Sequence, residues 1–116
     1  MAATDRELIN QAICDYFEGW FDGDAARMDR ALHPDLVKRS PGAENMAIFT
    51  KERMVKLTAQ GEGTHEAADR RLDITISDVC DDIASVVVDS APYREYVHLV
   101  RMPDGWKITN TLFLPR

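Results

Sequence analysis

The strongest constraint on the fold is the last quarter of the chain, where two strand-like runs flank Pro103-Asp104-Gly105. The runs cover 93–101 and 106–114, and both are dense in aromatic and β-branched residues, which favour strands. An Asp-Gly pair at such a junction favours positive φ and a tight reversal of the chain. The pattern therefore predicts a long β-hairpin.

One face of the predicted hairpin carries polar groups where an ordinary core strand would carry aliphatic ones. Tyr96 and His98 alternate on its first strand, and Asn110 lies in register with Trp106 on its second strand. If these side chains point inward, they line a cavity for a small molecule, and the buried amide of Asn110 needs a hydrogen-bond partner. The structural alternatives are a core hydrogen bond or a dimer contact for His98, and a bond to a neighbouring strand for Asn110.

Helices are predicted before the strands. A capping box at 4–7 opens a first helix that ends at Gly23, and Asp24 and Thr50 are N-caps of a second and a third helix. The segment 61–70 is predicted to be a flexible connection followed by charged surface. Beyond it the apolar period changes from helical to strand-like. A short strand is predicted at 36–39, before the third helix. Further strands are predicted at 72–77, at 84–89 and in the hairpin.

Helices followed by antiparallel strands predict an α+β domain, and 116 residues are enough for one domain, 1–116. Tyr16 and Trp20 lie four residues apart, so they share one face of the first helix. That aromatic face must be buried, and a curved sheet is the large partner available. A sheet wrapped around the helices would form a cone with an open wide end.

Charge and composition exclude several classes of function. The chain has 14 Lys and Arg against 20 Asp and Glu, a formal charge of −6, which argues against nucleic acid as a partner. No apolar run is long enough for a bilayer, and the start lacks the pattern of a signal peptide, so we expect a cytoplasmic protein. Cys14 and Cys80 form no metal-binding motif and are expected to be reduced, with no metal or cofactor.

Four segments together resemble the nuclear transport factor 2-like (SnoaL-like) superfamily: 16–24, Leu32-His33-Pro34-Asp35, 96–101 and 105–110. More narrowly, the chain resembles the bacterial group named for a putative lumazine-binding domain. The resemblance implies a cystatin-like cone, in which three N-terminal helices pack in a strongly curved, mostly antiparallel sheet. It also implies homodimers that pack through the outer face of the sheet.

The same superfamily contains steroid isomerases, dehydratases, polyketide cyclases and binding domains. In ketosteroid isomerases a tyrosine of the first helix polarises a carbonyl, a carboxylate after the second helix takes a proton, and an acid on the sheet shares the oxyanion. Tyr16 matches the tyrosine, but no carboxylate lies at 37–40 or at 96–98, where the other two are expected. This departure argues against steroid isomerase chemistry. Tyrosines and histidines around a water, as in scytalone dehydratase-like enzymes, suit Tyr16, Tyr96 and His98 loosely.

We therefore expect a small-molecule-binding domain with a partly apolar, cone-shaped cavity and an unknown ligand. The residues predicted to line it are Tyr16, Trp20, Arg39, Met54, Tyr96, His98, Trp106 and Asn110. Arg39 would grip an acidic ligand, or else form a surface salt bridge. One alternative is a cofactor-independent dehydratase, isomerase or polyketide-cyclase-like enzyme in which His98 and Tyr16 are the acid–base pair. The other is a dimeric accessory or interaction domain whose function is its outer face, predicted to be apolar around Val97, Leu99, Thr111 and Phe113.

Overall fold

The computed structural model describes residues 2–116, and its helices and strands come in the predicted order. The elements are α1 Asp5–Asp22, α2 Ala25–Ala31, β1 Leu32–Ser40, β2 Ala47–Thr50, α3 Lys51–Ala59, a 3₁₀ helix Glu62–Glu66, β3 Leu72–Cys80, β4 Ile83–Ser90, β5 Tyr93–Met102 and β6 Gly105–Pro115. The six strands form one sheet in the order β2-β1-β6-β5-β4-β3. Only the β1–β6 pair is parallel among these strands. The α+β prediction, three helices against a mostly antiparallel sheet, is confirmed.

The helices begin and end where the capping residues predict. The Thr4 hydroxyl accepts a hydrogen bond from the Glu7 amide, and Gly23 ends α1 with a φ of 67°. That left-handed conformation is readily available to glycine, which has no Cβ. The side chains of Asp24 and Thr50 cap α2 and α3 in the same way as Thr4.

The predicted hairpin is formed by β5 and β6 around Pro103 and Asp104. Met102 pairs with Gly105, which has a φ of 123°. Within the hairpin, β6 has one residue more than β5, because the pairs Leu99–Ile108 and His98–Asn110 leave Thr109 without a partner. Such a bulge reverses which side chains of a strand point inward. Asn110 is therefore turned to the opposite face of the sheet from Ile108.

The side chains of β5 face the reverse of what we expected. Val97 and Leu99 are buried at 0% and 2% exposure, whereas Tyr96 is 50% exposed and His98 is also exposed. Because successive residues of a strand alternate between faces, burying the two aliphatic side chains puts Tyr96 and His98 outside. Glu95 lies in the buried set, with no exposed surface. The expectation that Tyr96 and His98 point into the cone is wrong.

Two short elements lie outside the sequence prediction. Strand β2 pairs with β1, and the 3₁₀ helix occupies part of the segment expected to be flexible. Gly63 of this helix is buried against Trp20, where an added Cβ would lie 2.3 Å from the Trp20 carbonyl oxygen. The 3₁₀ helix thus covers one end of α1. Over residues 2–116, none of the helices has the length and apolar character needed to span a membrane.

Candidate functional site

Three ionisable side chains meet inside the cone: Tyr16 of α1, Lys38 of β1 and Glu95 of β5. The Tyr16 hydroxyl donates a hydrogen bond of 2.7 Å to Glu95 Oε2. Lys38 Nζ donates to the Tyr16 oxygen and lies 3.8 Å from Glu95 Oε2. Their exposures are 2%, 7% and 0%, so an amine, a phenol and a carboxyl group share one buried location.

Aromatic rings surround the Lys38 amine. Its Nζ lies 4.4 Å from the centroid of Phe113, 5.0 Å from that of Tyr16 and 5.7 Å from that of Tyr93. The negative faces of such rings attract a cation at these distances. The rings and Glu95 therefore replace part of the hydration that a lysine loses on burial.

Burial shifts the pKa values of two members of the cluster in opposite directions. It raises the pKa of the Tyr16 hydroxyl well above its usual value, and the charge and hydrogen bond of Glu95 add to that rise. It lowers the pKa of the Lys38 amine, although Glu95 and Glu66 oppose the change. Both shifts follow because a low-dielectric surrounding disfavours charge. Tyr16 thus keeps its proton, and Lys38 gives up a proton more readily than an exposed lysine does.

The space beside the cluster is a void of about 10 Å³, lined by Tyr16, Phe17, Trp20, Lys38, Tyr93 and Glu95. A void of this size is close to the minimum for one water molecule. Glu66 of the 3₁₀ helix ties two wall residues together. Its Oε1 accepts hydrogen bonds from the Tyr93 hydroxyl at 2.6 Å and from the Trp20 indole nitrogen at 3.1 Å. The space beside the cluster is therefore too small for a ring, and the expected open, cone-shaped cavity is not found at this place.

One oxygen of Glu95 lacks a hydrogen-bond partner. Oε2 accepts from Tyr16, but Oε1 is buried with no donor among the described residues. An unsatisfied buried carboxylate oxygen is expensive, because it has lost its water without replacement. The site therefore offers a free acceptor to any group that enters the void with an N–H or O–H.

The remaining predicted pocket residues are divided between the interior and the outer face. Met54 and Trp106 are buried at 2% and 4%. The Trp106 indole donates to Asp5 at the start of α1, about 16 Å along the helix from Tyr16 at 1.5 Å per residue. Arg39 is exposed, since it follows Lys38 on β1 and points to the opposite face. That Arg39, Met54 and Trp106 contact a ligand stays a prediction.

His98 and Asn110 lie together on the outer face. The Asn110 amide nitrogen is 3.1 Å from His98 Nδ1, and both residues line a groove of about 450 Å³ that also includes Ile83 and Val100. Asn110 thus has a protein partner on the neighbouring strand, which was one of its alternatives. Because His98 and Tyr16 lie on opposite faces of the sheet, they cannot act as an acid–base pair on one substrate.

Large apolar side chains are exposed on the same outer face. Tyr96 pairs with Leu112, which neighbours Arg39, and Arg39 neighbours Ile48. Tyr96, Leu112 and Ile48 are 50%, 44% and 52% exposed, and Leu114 is 53% exposed beyond them. The face predicted to be apolar around Val97, Leu99, Thr111 and Phe113 is instead the inner one, where these four residues are buried.

Sequence reasoning missed Lys38 and Glu95 as partners of Tyr16. The resemblance implies an acid of the sheet at 96–98, directly after Glu95, and the prediction that Tyr96 and His98 point inward assigned Glu95 to the outer face. The alternation puts Glu95 on one face with Val97 and Leu99, and packing of that face against the helices makes it the inner one. Lys38 lies where a carboxylate was sought, and its amine was not considered as an interior group. Among residues 2–116, no group of His, Cys, Asp or Glu side chains is arranged to hold a metal ion.

A protein-family model described as "Putative lumazine-binding" matches residues 4–114 of the chain. A search of curated proteins found no match.

Several crystal structures have the same fold. An NTF-2-like protein of unknown function from Silicibacter pomeroyi has 14% identity and a TM-score of 0.76, over 98% of this chain and 100% of that one. A ketosteroid isomerase-like protein from Erwinia carotovora atroseptica has 16% identity and a TM-score of 0.66, over 98% of both chains. An NTF2-like protein with a cystatin-like fold from Novosphingobium aromaticivorans has 20% identity and a TM-score of 0.68, over 94% and 80%. At these identities the likeness establishes the fold.

Proposed function

Since the chain belongs to the family described as putative lumazine-binding, we propose that it binds a small molecule at the cluster of Tyr16, Lys38 and Glu95. The observation that carries this proposal is the unpartnered, fully buried Glu95 Oε1. A purely structural core gains little from three buried ionisable groups, whose desolvation cost often exceeds their attraction. A ligand donor to Glu95 Oε1 would offset that cost.

The cluster and its aromatic wall together define the ligand chemistry. Glu95 Oε1 accepts from an N–H, Lys38 Nζ donates to a carbonyl oxygen, and the rings of Trp20 and Tyr93 pack against an aromatic face. A flat heteroaromatic ring with a cyclic-amide edge presents adjacent N–H and C=O groups. Lumazines have such an edge, and they are the compounds for which the family is named.

Entry requires movement of the wall, because the void of about 10 Å³ does not admit a ring. The residues that must separate are Trp20 and Tyr93, which are held together by one oxygen of Glu66. Glu66 lies at the end of a five-residue 3₁₀ helix. A short helix with few hydrogen bonds is the part of this wall that opens at least cost.

Titration of the purified protein with lumazine and with riboflavin, followed by thermal shift and intrinsic fluorescence, tests the proposal. We expect one of these rings to raise the melting temperature of the wild type and of Glu44→Gln, a matched change at an exposed acid. Glu95→Gln should lose most of that shift. Its one side-chain oxygen can accept from Tyr16 or from the ligand's N–H, and its NH₂ group then faces the other donor. An equal shift in Glu95→Gln would refute the interior site.

The outer face supports a second part of the proposal, a homodimer. Four large apolar side chains of one sheet face are about half exposed: Ile48, Tyr96, Leu112 and Leu114. Contiguous exposed apolar surface of this kind marks association sites, and a two-fold axis lets the same face cover itself. The dimer would also enclose the groove beside His98 and Asn110. A cytoplasmic location remains part of the proposal and is tested by cell fractionation.

A further inference from the structure

We propose that Lys38 captures an uncharged aldehyde or ketone as an imine inside the cone. This inference rests on the proposed function, because it uses the same interior site. It adds a covalent step and a substrate class, a small neutral carbonyl compound, to reversible binding. The observation behind this inference is the buried amine of Lys38, which lies where the resemblance implies a carboxylate.

The geometry supplies the three groups that imine formation needs. Lys38 Nζ is the nucleophile, and Glu95 Oε2 at 3.8 Å from Nζ takes up a proton. The Tyr16 hydroxyl accepts from Nζ and donates to Glu95 Oε2, and it turns that proton to the carbonyl oxygen when the substrate enters. All three border the same void. Burial also lowers the pKa of the Lys38 amine, which increases its neutral, reactive fraction.

The reaction balances without an oxidant or a cofactor. The Nζ lone pair forms a bond to the carbonyl carbon, and the C=O π electrons move to the oxygen. Glu95 takes one proton from the nitrogen, and the Tyr16 hydroxyl gives its proton to the oxygen and recovers it from Glu95, which gives a carbinolamine. The second nitrogen proton follows the same route, the C–O bond breaks with its electrons on the leaving water, and the nitrogen lone pair forms the C=N bond. The product is an imine between Lys38 and the carbonyl carbon.

Charge selects neutral substrates. A second carboxylate, such as that of a 2-oxo acid, would lie against Glu95 in a buried setting and would approach the wall past Glu66. Like charges repel strongly where water is excluded. The small size of the void favours short carbonyl compounds over bulky ones.

The other lysines provide an internal comparison. Lys51 donates to the Leu32 carbonyl oxygen and Lys107 to that of Arg30, whereas Lys56 is exposed on α3. Exposed amines react with aldehydes whenever they lose a proton. Lys56 therefore reports the reactivity of an ordinary surface lysine in the same sample.

The test is reductive trapping of the full chain with propanal and sodium cyanoborohydride at neutral pH, followed by peptide mapping. Among the lysines, we expect Lys38 to carry the first propyl adduct, and we expect this adduct to be lost in Lys38→Arg and kept in Lys56→Arg. Tyr16→Phe should slow the adduct at Lys38 without slowing adducts at Lys56. Early modification of Lys56 with an unmodified Lys38 would overturn the inference. The wild-type map decides this even if Lys38→Arg does not fold.

Separate titration of the same protein with lumazine, without reductant, distinguishes the two proposals. If lumazine binds in a Glu95-dependent manner while Lys38 stays unmodified by propanal, the covalent step is wrong and the binding site stands. If neither compound reaches the interior, both are wrong.

Discussion

The hydroxyl of Tyr16 donates a hydrogen bond of 2.7 Å to Glu95 Oε2 across 79 positions of sequence. This bond joins the first helix to the middle of the sheet, inside the core. Lys38 contacts both groups from the strand that follows α2. The three contacts bring an amine, a phenol and a carboxyl group together among the apolar side chains of the core.

The cluster should show strong energetic coupling. Lys38→Met should lower the free energy of unfolding by about 3–5 kcal/mol, because it leaves the buried Glu95 carboxylate without its cation. Lys38→Met with Glu95→Gln should recover most of that loss. Denaturant unfolding of both variants and of Glu95→Gln alone completes the cycle that measures the coupling. The control Arg71→Met breaks an exposed ion pair with Asp73 and should cost less than about 1 kcal/mol. Additive effects at Lys38 and Glu95 would show that they do not interact.

Acid should weaken the junction between α1 and α2 through Asp15. Burial alone would raise the pKa of this carboxyl, but hydrogen bonds from Arg30 and Arg27 outweigh it, and the pKa is lowered below its ordinary 3.8. A lowered folded-state pKa gives stability that is fully present above 3.8 and is lost as the pH falls through the folded value. The difference in unfolding free energy between wild type and Asp15→Asn should therefore shrink below pH 3.8. A difference that stays constant with pH would contradict this origin.

The wall of the void should open when Glu66 is removed. Glu66→Ala deletes the acceptor shared by the Trp20 indole and the Tyr93 hydroxyl. We expect acrylamide to quench tryptophan fluorescence more strongly in this variant. Glu62→Ala, at an exposed position of the same 3₁₀ helix, should leave quenching unchanged. Equal quenching in the two variants would mean that Glu66 does not hold the wall.

The outer face should control self-association. Wild type should sediment as a dimer, with twice the chain mass of 13.1 kDa. Leu112→Asp should give a monomer, because two charges would be buried at the proposed interface without partners. Leu8→Asp is the matched control, since Leu8 is 43% exposed on α1 and Leu112 is 44% exposed on β6. A monomeric wild type would remove the homodimer from the account.

Caps, turns and periodicity identified the helices and the hairpin, because these signals are local. Local signals did not predict which side chains of the hairpin point into the cone. On β5, the alternate sets Glu95, Val97, Leu99 and Tyr96, His98, Val100 both contain apolar residues, and only packing against the helices selects the first. On β6, the unpaired Thr109 reverses the inward set, and no local residue signal indicates the bulge.

The wrong predictions of site residues follow from the wrong assignment of inward-pointing side chains on the hairpin. Tyr16 is buried inside the cone, but its partner there is Glu95 and not His98. Strand β2 was missed because 47–50 is short and directly precedes α3, so its pairing with β1 depends on tertiary contacts. Local pattern thus defined the elements, and long-range packing defined which side chains share the interior.

The most direct test of the interior site is the response of the two tryptophan indole N–H signals in a ¹⁵N–¹H correlation spectrum during titration with lumazine. Trp20 borders the void, whereas the Trp106 indole is bound to Asp5 at the far end of α1. We expect the Trp20 signal to shift with added ligand while the Trp106 signal stays in place. Binding that leaves the Trp20 signal unmoved would contradict a ligand site at Tyr16, Lys38 and Glu95.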